Sequence, residues 1–136
     1  MIDYRRGNDL DLDAMIELYR ASTLGERRPV DARPRMEAML RQSNLVITAW
    51  DGPRMAGIAR SLTDFHFATY LADLAVRASH QRQGIGRELV RLTREAGGKA
   101  KIVLLSAPAS VDYYPHIGFE KHASAWVLAA EAAWPS

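Results

Sequence analysis

The stretch SHQRQGIGRELV, residues 79–90, sets two glycines one residue apart where an apolar run ends and an amphipathic one begins. Upstream, FATYLADLAV (residues 67–76) reads as a strand rich in apolar residues. Downstream, Ile85, Leu89, Leu92 and Ala96 recur at helical spacing while Arg87, Arg91 and Arg94 line another face. Gly97 and Gly98 then break the helix. A helix start carries unpaired backbone N–H groups and the positive end of the peptide dipole. Gly84 and Gly86 remove the Cβ at two points, so an anion can approach those amides and several of them can converge on it. The plainer alternative is a tight strand-to-helix turn that uses glycine for its dihedral freedom. A bare G-x-G does not separate the two.

Working outward, IDYRR (residues 2–6) reads as a first strand. Asn8, Asp9, Asp11 and Asp13 bring caps and negative charge to the start of a helix that reaches about Ala21, with Leu12, Met15, Ile16 and Tyr19 on one face. TLGERRPVDARP is a loop into a second helix over residues 34–42, with Met36, Met39 and Leu40 inward. NLVITAW, DGPR and RMAGIARSLTD give strand, turn and strand, because Asp51-Gly52 supplies turn chemistry and Pro53 cannot donate to a ladder. After the glycine turn and its helix, KIVLLS (residues 101–106) has the unbroken apolar character of a strand buried on both faces. APASVDYYPHIG predicts a brief helix with Pro108 in its first turn and a stop or kink at Pro115. FEKHASAWVLA is expected to supply one or two closing strands, and EAAWPS a tail. An antiparallel meander followed by a strand–helix–strand crossover is a mixed α/β arrangement, and one domain over residues 1–136 is expected.

The bulk composition narrows the classes. With 48% hydrophobic and 25% charged residues, 136 residues suffice for a core without metals or disulfides. The chain has no cysteine, so a zinc-thiolate site and a disulfide framework are both excluded. A formal charge of +2 is too small to argue for wrapping nucleic acid. No run approaches a membrane span and the first residues lack a signal-like apolar segment, so a cytoplasmic protein with no membrane partner is expected. Arg77, Arg82, Arg87, Arg91 and Arg94 crowd around His80. Charge runs are usually a solvated face, but arginine also suits phosphate.

Known phosphate motifs test the glycine turn. The P-loop pattern G-x-x-x-x-G-K-[ST] is missing. A dinucleotide fingerprint needs glycine or alanine where Leu89 stands. Gln81-Arg82-Gln83-Gly84-Ile85-Gly86, preceded by LADLAV, instead resembles the Q/R-x-x-G-x-G/A acetyl-CoA signature of the GNAT N-acetyltransferase superfamily. A second motif follows one strand later: Tyr114-Pro115-His116-Ile117-Gly118-Phe119 is similar to that family's tyrosine, three residues, then Gly-Phe. The resemblance runs from about Leu71 to Phe119, and the first half of the chain agrees in element order alone.

That resemblance implies a GNAT-like α/β fold: a mostly antiparallel central sheet, one splayed parallel strand pair and about four flanking helices. It implies acetyl-CoA as donor, with no metal. The backbone of Leu74, Ala75 and Val76 would pair with the pantetheine arm, and Gln81, Arg82, Gln83, Gly84, Ile85, Gly86 and Arg87 would hold the pyrophosphate. Tyr114 takes the general-acid position, since a phenol near pKa 10 can protonate a thiolate near 8.5. Tyr113 is the less favoured twin. For the base, Asp73 is the first candidate, with neutralisation by a nearby arginine as an equal alternative; Asp64 and His66 lie further out. His80 and His116 are expected in solvent or beside the cofactor. The chain departs from some members by lacking an acid in KIVLL and by carrying Ala107 in place of an asparagine.

The activity implied is transfer of an acetyl group to a primary amine of a small molecule or peptide, by direct attack in a ternary complex. The lack of cysteine argues against an acylated thiol. Acceptor choice would come from TLGERRP, the second helix, the turn at residues 64–67 and the strands around Trp126. Glu26 is placed to attract an amine and Arg27 or Arg28 a carboxylate, with exposed loop charge as the plainer alternative. A non-catalytic CoA-binding sensor or partner domain is the second reading, and nucleic-acid binding through the arginine stripe the third and weakest. Pairing through the C-terminal strands, common in the family, makes a homodimer the expected assembly if there is one.

Overall fold

Near-continuous buried runs in the middle strands, flanked by alternating ones, build an antiparallel ladder before the glycine turn. In the computed structural model, which describes residues 1–135, β1 (Ile2–Arg6), β2 (Leu45–Asp51), β3 (Arg54–Thr63), β4 (Ala68–Val76) and β5 (Lys101–Val103) form one sheet in chain order. Ser136, the end of the expected tail, lies outside the described residues. Neighbouring strands are antiparallel up to β4. The last pair, β4 and β5, is parallel. The chain divides into two compact units, Met1–Leu105 and a second beginning at Ser106.

Three α-helices flank the sheet: α1 (Leu12–Arg20), α2 (Arg33–Gln42) and α3 (Ile85–Ala96). Asp11 caps α1 by accepting the backbone N–H of Asp13. Met15, Leu18, Tyr19, Met36 and Leu40, all fully buried, pack α1 and α2 with Val46, Ile58 and Ala75 of the sheet. Successive strand residues face opposite ways. Gly57, next to Ile58, therefore faces the other side, where a Cβ would lie 3.0 Å from Leu89 and 3.2 Å from Ile85 of α3. Helices thus cover both faces, and the missing side chain at Gly57 lets α3 sit close to β3.

Two irregularities of β4 position the site. Arg60 pairs with Asp73 but Ser61 with Leu71, which leaves Ala72 as the extra residue of a bulge. The parallel pairing covers only Ala68, Thr69 and Tyr70 against Lys101, Ile102 and Val103. From Leu71 to Val76, β4 runs on with no strand on its second edge.

The C-terminal part differs from the sequence expectation. β5 is a three-residue edge strand, and Val103 is 48% exposed rather than buried on both faces. A strand with a neighbour on one side only has no second layer of ladder to enclose it. The brief helix expected after residue 107 is instead two 3-10 turns, Pro108–Ser110 and Tyr114–Ile117. Each carries a proline without an N–H near its start, and left-handed Gly118 (φ 95°) closes the second. No strand forms between Phe119 and Trp134 among the described residues. The backbone N–H of Ser124 turns back to His122 Nδ1 (3.2 Å), where a ladder would need extended chain.

Candidate active site

Between β4 and α3 the chain turns through a short 3-10 segment (Ala78–His80) and then the motif. Gln81 Nε2 donates to the carbonyl of Val76 (3.1 Å), folding the turn back onto the end of β4. Arg82 adopts a left-handed conformation (φ 62°), as does Gly84 (φ 82°) at the N-cap of α3. The first bond of the helix runs from the N–H of Glu88 to the carbonyl of Gly84. The N–H groups of Ile85, Gly86 and Arg87 precede it and have no helical acceptor. A Cβ on Gly84 would meet nothing within 4 Å, so the space before these amides is open. Ile85 is 2% exposed and anchors the turn from below, while the side chains of Arg82, Gln83 and Arg87 stand in solvent. This is a backbone cradle flanked by two guanidiniums, and a diphosphate fits it in charge and in access. It adjoins the open edge of β4, whose last three residues are Leu74, Ala75 and Val76.

His80, expected in solvent or beside the cofactor, is partly exposed and bonded to the end of β2. Its Nε2 lies 2.8 Å from Asp51 Oδ2 and its Nδ1 2.8 Å from Ser79 Oγ. Arg77 leaves the arginine cluster altogether: buried, it donates twice to Glu17 at 2.6 Å and also to the Met55 carbonyl.

Asp73 follows the bulge and points among the α1 side chains with no exposed side-chain surface. Two arginines pair with it. Arg28 Nε donates to Oδ1 (2.6 Å); Arg60 Nε (2.6 Å) and the Tyr19 hydroxyl (2.5 Å) both donate to Oδ2. Burial by itself raises the carboxyl pKa, but the Arg60 charge and the donated bonds outweigh it and leave the group below its usual value. Burial, and then the Asp73 charge, hold the Tyr19 phenol well above its usual pKa. Arg28, for which the sequence offers either carboxylate attraction or exposed loop charge, is half-buried, and it also donates to the carbonyls of Ala72 (2.9 Å) and Arg27 (2.8 Å). Asp64 caps its own turn, accepting the N–H groups of His66, Phe67 and Ala68, which lower its pKa to about 2.

Sequence reasoning missed Tyr19, Arg60 and Gly57. Tyr19 counted as one more apolar position of α1. An arginine inside the otherwise apolar β3, one strand away from an aspartate in β4, was the available signal for the buried pair.

In the second unit, Tyr114 begins a 3-10 turn. Its ring stacks edge-on to Tyr113 (5.3 Å) and Phe119 (5.4 Å). Burial, then the neighbouring Tyr113, raises its pKa above the usual phenol value, so it remains a proton donor at neutral pH. Among the described residues no group of three His, Asp or Glu could hold a metal ion, and no helix is long and apolar enough to cross a membrane.

A model of the acetyltransferase (GNAT) domain matches residues 25–128. None of the curated proteins compared with the chain matches it. Among solved structures, a GNAT family acetyltransferase of Streptococcus pneumoniae is 26% identical, with a TM-score of 0.76 over 94% of this chain and 98% of that one. A probable acetyltransferase of meticillin-resistant Staphylococcus aureus is 17% identical, with a TM-score of 0.80 over 97% and 100%. An aminoglycoside N-acetyltransferase solved in complex with CoA is 16% identical, with a TM-score of 0.75 over 97% and 96%. The last two share the fold. With its own family's model covering most of its length, and with the amide cradle at the end of a strand that pairs in parallel with β5, the chain belongs to the GNAT family of acetyltransferases.

Proposed function

We propose that this acetyltransferase moves the acetyl group of acetyl-CoA onto a primary amine of a small molecule or peptide, by direct attack in a ternary complex. The observation that carries this reading is the junction of β4 and α3: three unpaired helix-start amides opening beside a strand edge with no neighbour. The amides of Ile85, Gly86 and Arg87, with Arg82 and Arg87 as counter-charges, take the diphosphate; Gln83 and Gly84 complete the turn. Gln81 sets the turn against β4 through its bond to Val76. The edge of Leu74, Ala75 and Val76 takes the pantetheine amides as a further strand would. When bound, acetyl-CoA supplies an activated acyl group and a thiolate leaving group.

Tyr114 carries the proton for that leaving group: a phenol whose pKa is raised by burial stays protonated until a thiolate develops. As a base, Asp73 would have to release one of its charge-assisted bonds, and its lowered pKa makes it a weak acceptor of the amine's proton. We therefore read Asp73 as the residue that fixes β4 against α1 and the turn bearing Arg28. With no cysteine in the chain, no thiol is available to hold the acyl group between two half-reactions.

Two measurements test the reading. Acetyl-CoA should raise the melting temperature, and a panel of amino acids, polyamines, aminoglycosides, arylalkylamines and peptides should include an acceptor that releases free CoA thiol. Tyr114→Phe should then lower kcat by roughly 10²-fold or more, within the range of acid–base assistance, while the affinity for acetyl-CoA stays near that of the wild type. A phenylalanine variant as fast as the wild type removes Tyr114 from the chemistry. Clear acetyl-CoA binding with no turnover on any amine favours the sensor reading.

A further inference from the structure

The charge around Asp73 does not balance. One carboxylate accepts from two guanidiniums, and its third partner, the Tyr19 phenol, stays neutral because its pKa is held well above 10. Arg60 is sequestered: its side chain is 9% exposed, and it also donates to Ser43 Oγ (3.0 Å) and toward the Met39 carbonyl (3.4 Å). Arg28 is not. Its side chain is 24% exposed, and among the described residues its bonds to Asp73, Ala72 and Arg27 use three of the five N–H groups that a guanidinium carries. The surplus positive charge of the cluster therefore reaches solvent at Arg28.

Its location follows from the chain path. The amide cradle lies beyond Val76, at the C-terminal end of β4, so an arm held along Val76, Ala75 and Leu74 leads its acyl end toward Asp73 and Ala72. Ala72 is the bulged residue whose carbonyl accepts from Arg28. Resting on the transferase reading above, we infer that Arg28 is an acceptor-recognition residue, and that the amine this enzyme acetylates carries a carboxylate that docks on the outer face of its guanidinium. A planar fork with two donors to spare matches a carboxylate, and Asp73 behind it fixes the orientation of that fork. A protonated polyamine without an anion would meet like charge at the same place.

The test compares amino acids and short peptides with their carboxamides as acceptors, reading kcat/KM from thiol release. The wild type should favour the free acid by about tenfold or more, and Arg28→Gln should collapse that preference through KM. Arg28→Lys, which keeps the charge but not the fork, should retain part of it. Indifference of the wild type, preference for the carboxamide, or a preference for the acid that survives in Arg28→Gln each overturns the inference. Should Arg28→Gln fail to fold, the wild type still decides. The des-amino carboxylate must then inhibit competitively against the amine and more strongly than its amide, and equal inhibition overturns the inference. Thiol release from polyamines or aminoglycosides alone sinks the Arg28 subsite and leaves the transferase standing. No release from any amine by protein that binds acetyl-CoA sinks both.

Discussion

Two groups of arginines in this chain contrast with each other. Arg28, Arg60 and Arg77, the last at the edge of the arginine-rich stretch, each have a fixed carboxylate partner in the fold, Asp73 or Glu17. Arg82, Arg87, Arg91 and Arg94 are crowded in the sequence, yet all are exposed. Arg91 pairs only with Glu88 and Glu95 on its own helix, with 57% of its side chain in solvent. Crowding followed the surface of α3, whereas Arg60, buried in the first group, was a lone arginine after an apolar run. The first group is fixed by carboxylates within the fold, while Arg82 and Arg87 of the second stay exposed beside the cradle.

Removing the shared carboxylate strikes the first population hardest. Asp73→Asn leaves Arg60 buried with no charge partner and gives Arg28 a neutral one, a loss of about 3–5 kcal/mol by analogy with broken buried ion pairs. Urea denaturation at neutral pH measures it, and a loss below about 1 kcal/mol breaks the division between the two groups. The pH dependence follows from the depressed pKa of Asp73. A group whose folded pKa lies below its unfolded value contributes fully above the unfolded value, near 3.8, and loses that contribution as pH falls through the folded one. In the wild type this contribution disappears on acidification below about pH 4, and the Asp73→Asn variant lacks that part of the acid transition.

Glu17→Gln sharpens the comparison at intermediate size. Arg77 is buried, but Glu17 is 55% exposed and Arg77 keeps the Met55 carbonyl as an acceptor. Discounting for screening, we expect a loss of about 1–2 kcal/mol, read from the same denaturation curves. The Glu17 carboxyl is held below its usual pKa, chiefly by the Arg77 hydrogen bonds, so its contribution too is present at neutral pH and lost in acid.

The sequence made the local features legible because local chemistry produces them. β1, the helices up to α3 and the β2–β3 hairpin stand close to where periodicity and turn residues put them. The two motif turns stand out because glycine and proline act on their own neighbours. The Asp73 cluster joins residues 19, 28, 60 and 73, and no short-range pattern links them. Gly57 was invisible for a similar reason: its value is the space it leaves for Leu89 and Ile85, 28 or more residues away. The end of the chain was over-read. KIVLLS looked fully buried, but apolar content alone does not provide a second neighbouring strand, and only three of its residues found a ladder.

Arg91→Ala gives the smallest effect and the most direct test of the second population. Its i,i+3 and i,i+4 pairs are exposed and screened by solvent, and alanine returns helix propensity in exchange. Urea denaturation should show no resolvable change in stability, at low or at high salt. Calorimetry should find acetyl-CoA affinity unchanged, since Arg91 lies in the second turn of α3 and its guanidinium is engaged by Glu88 and Glu95. A clear loss of affinity would mean that the ligand's charge extends past the cradle and along the helix face. The whole arginine stripe, and not only Arg82 and Arg87, would then belong to the binding surface.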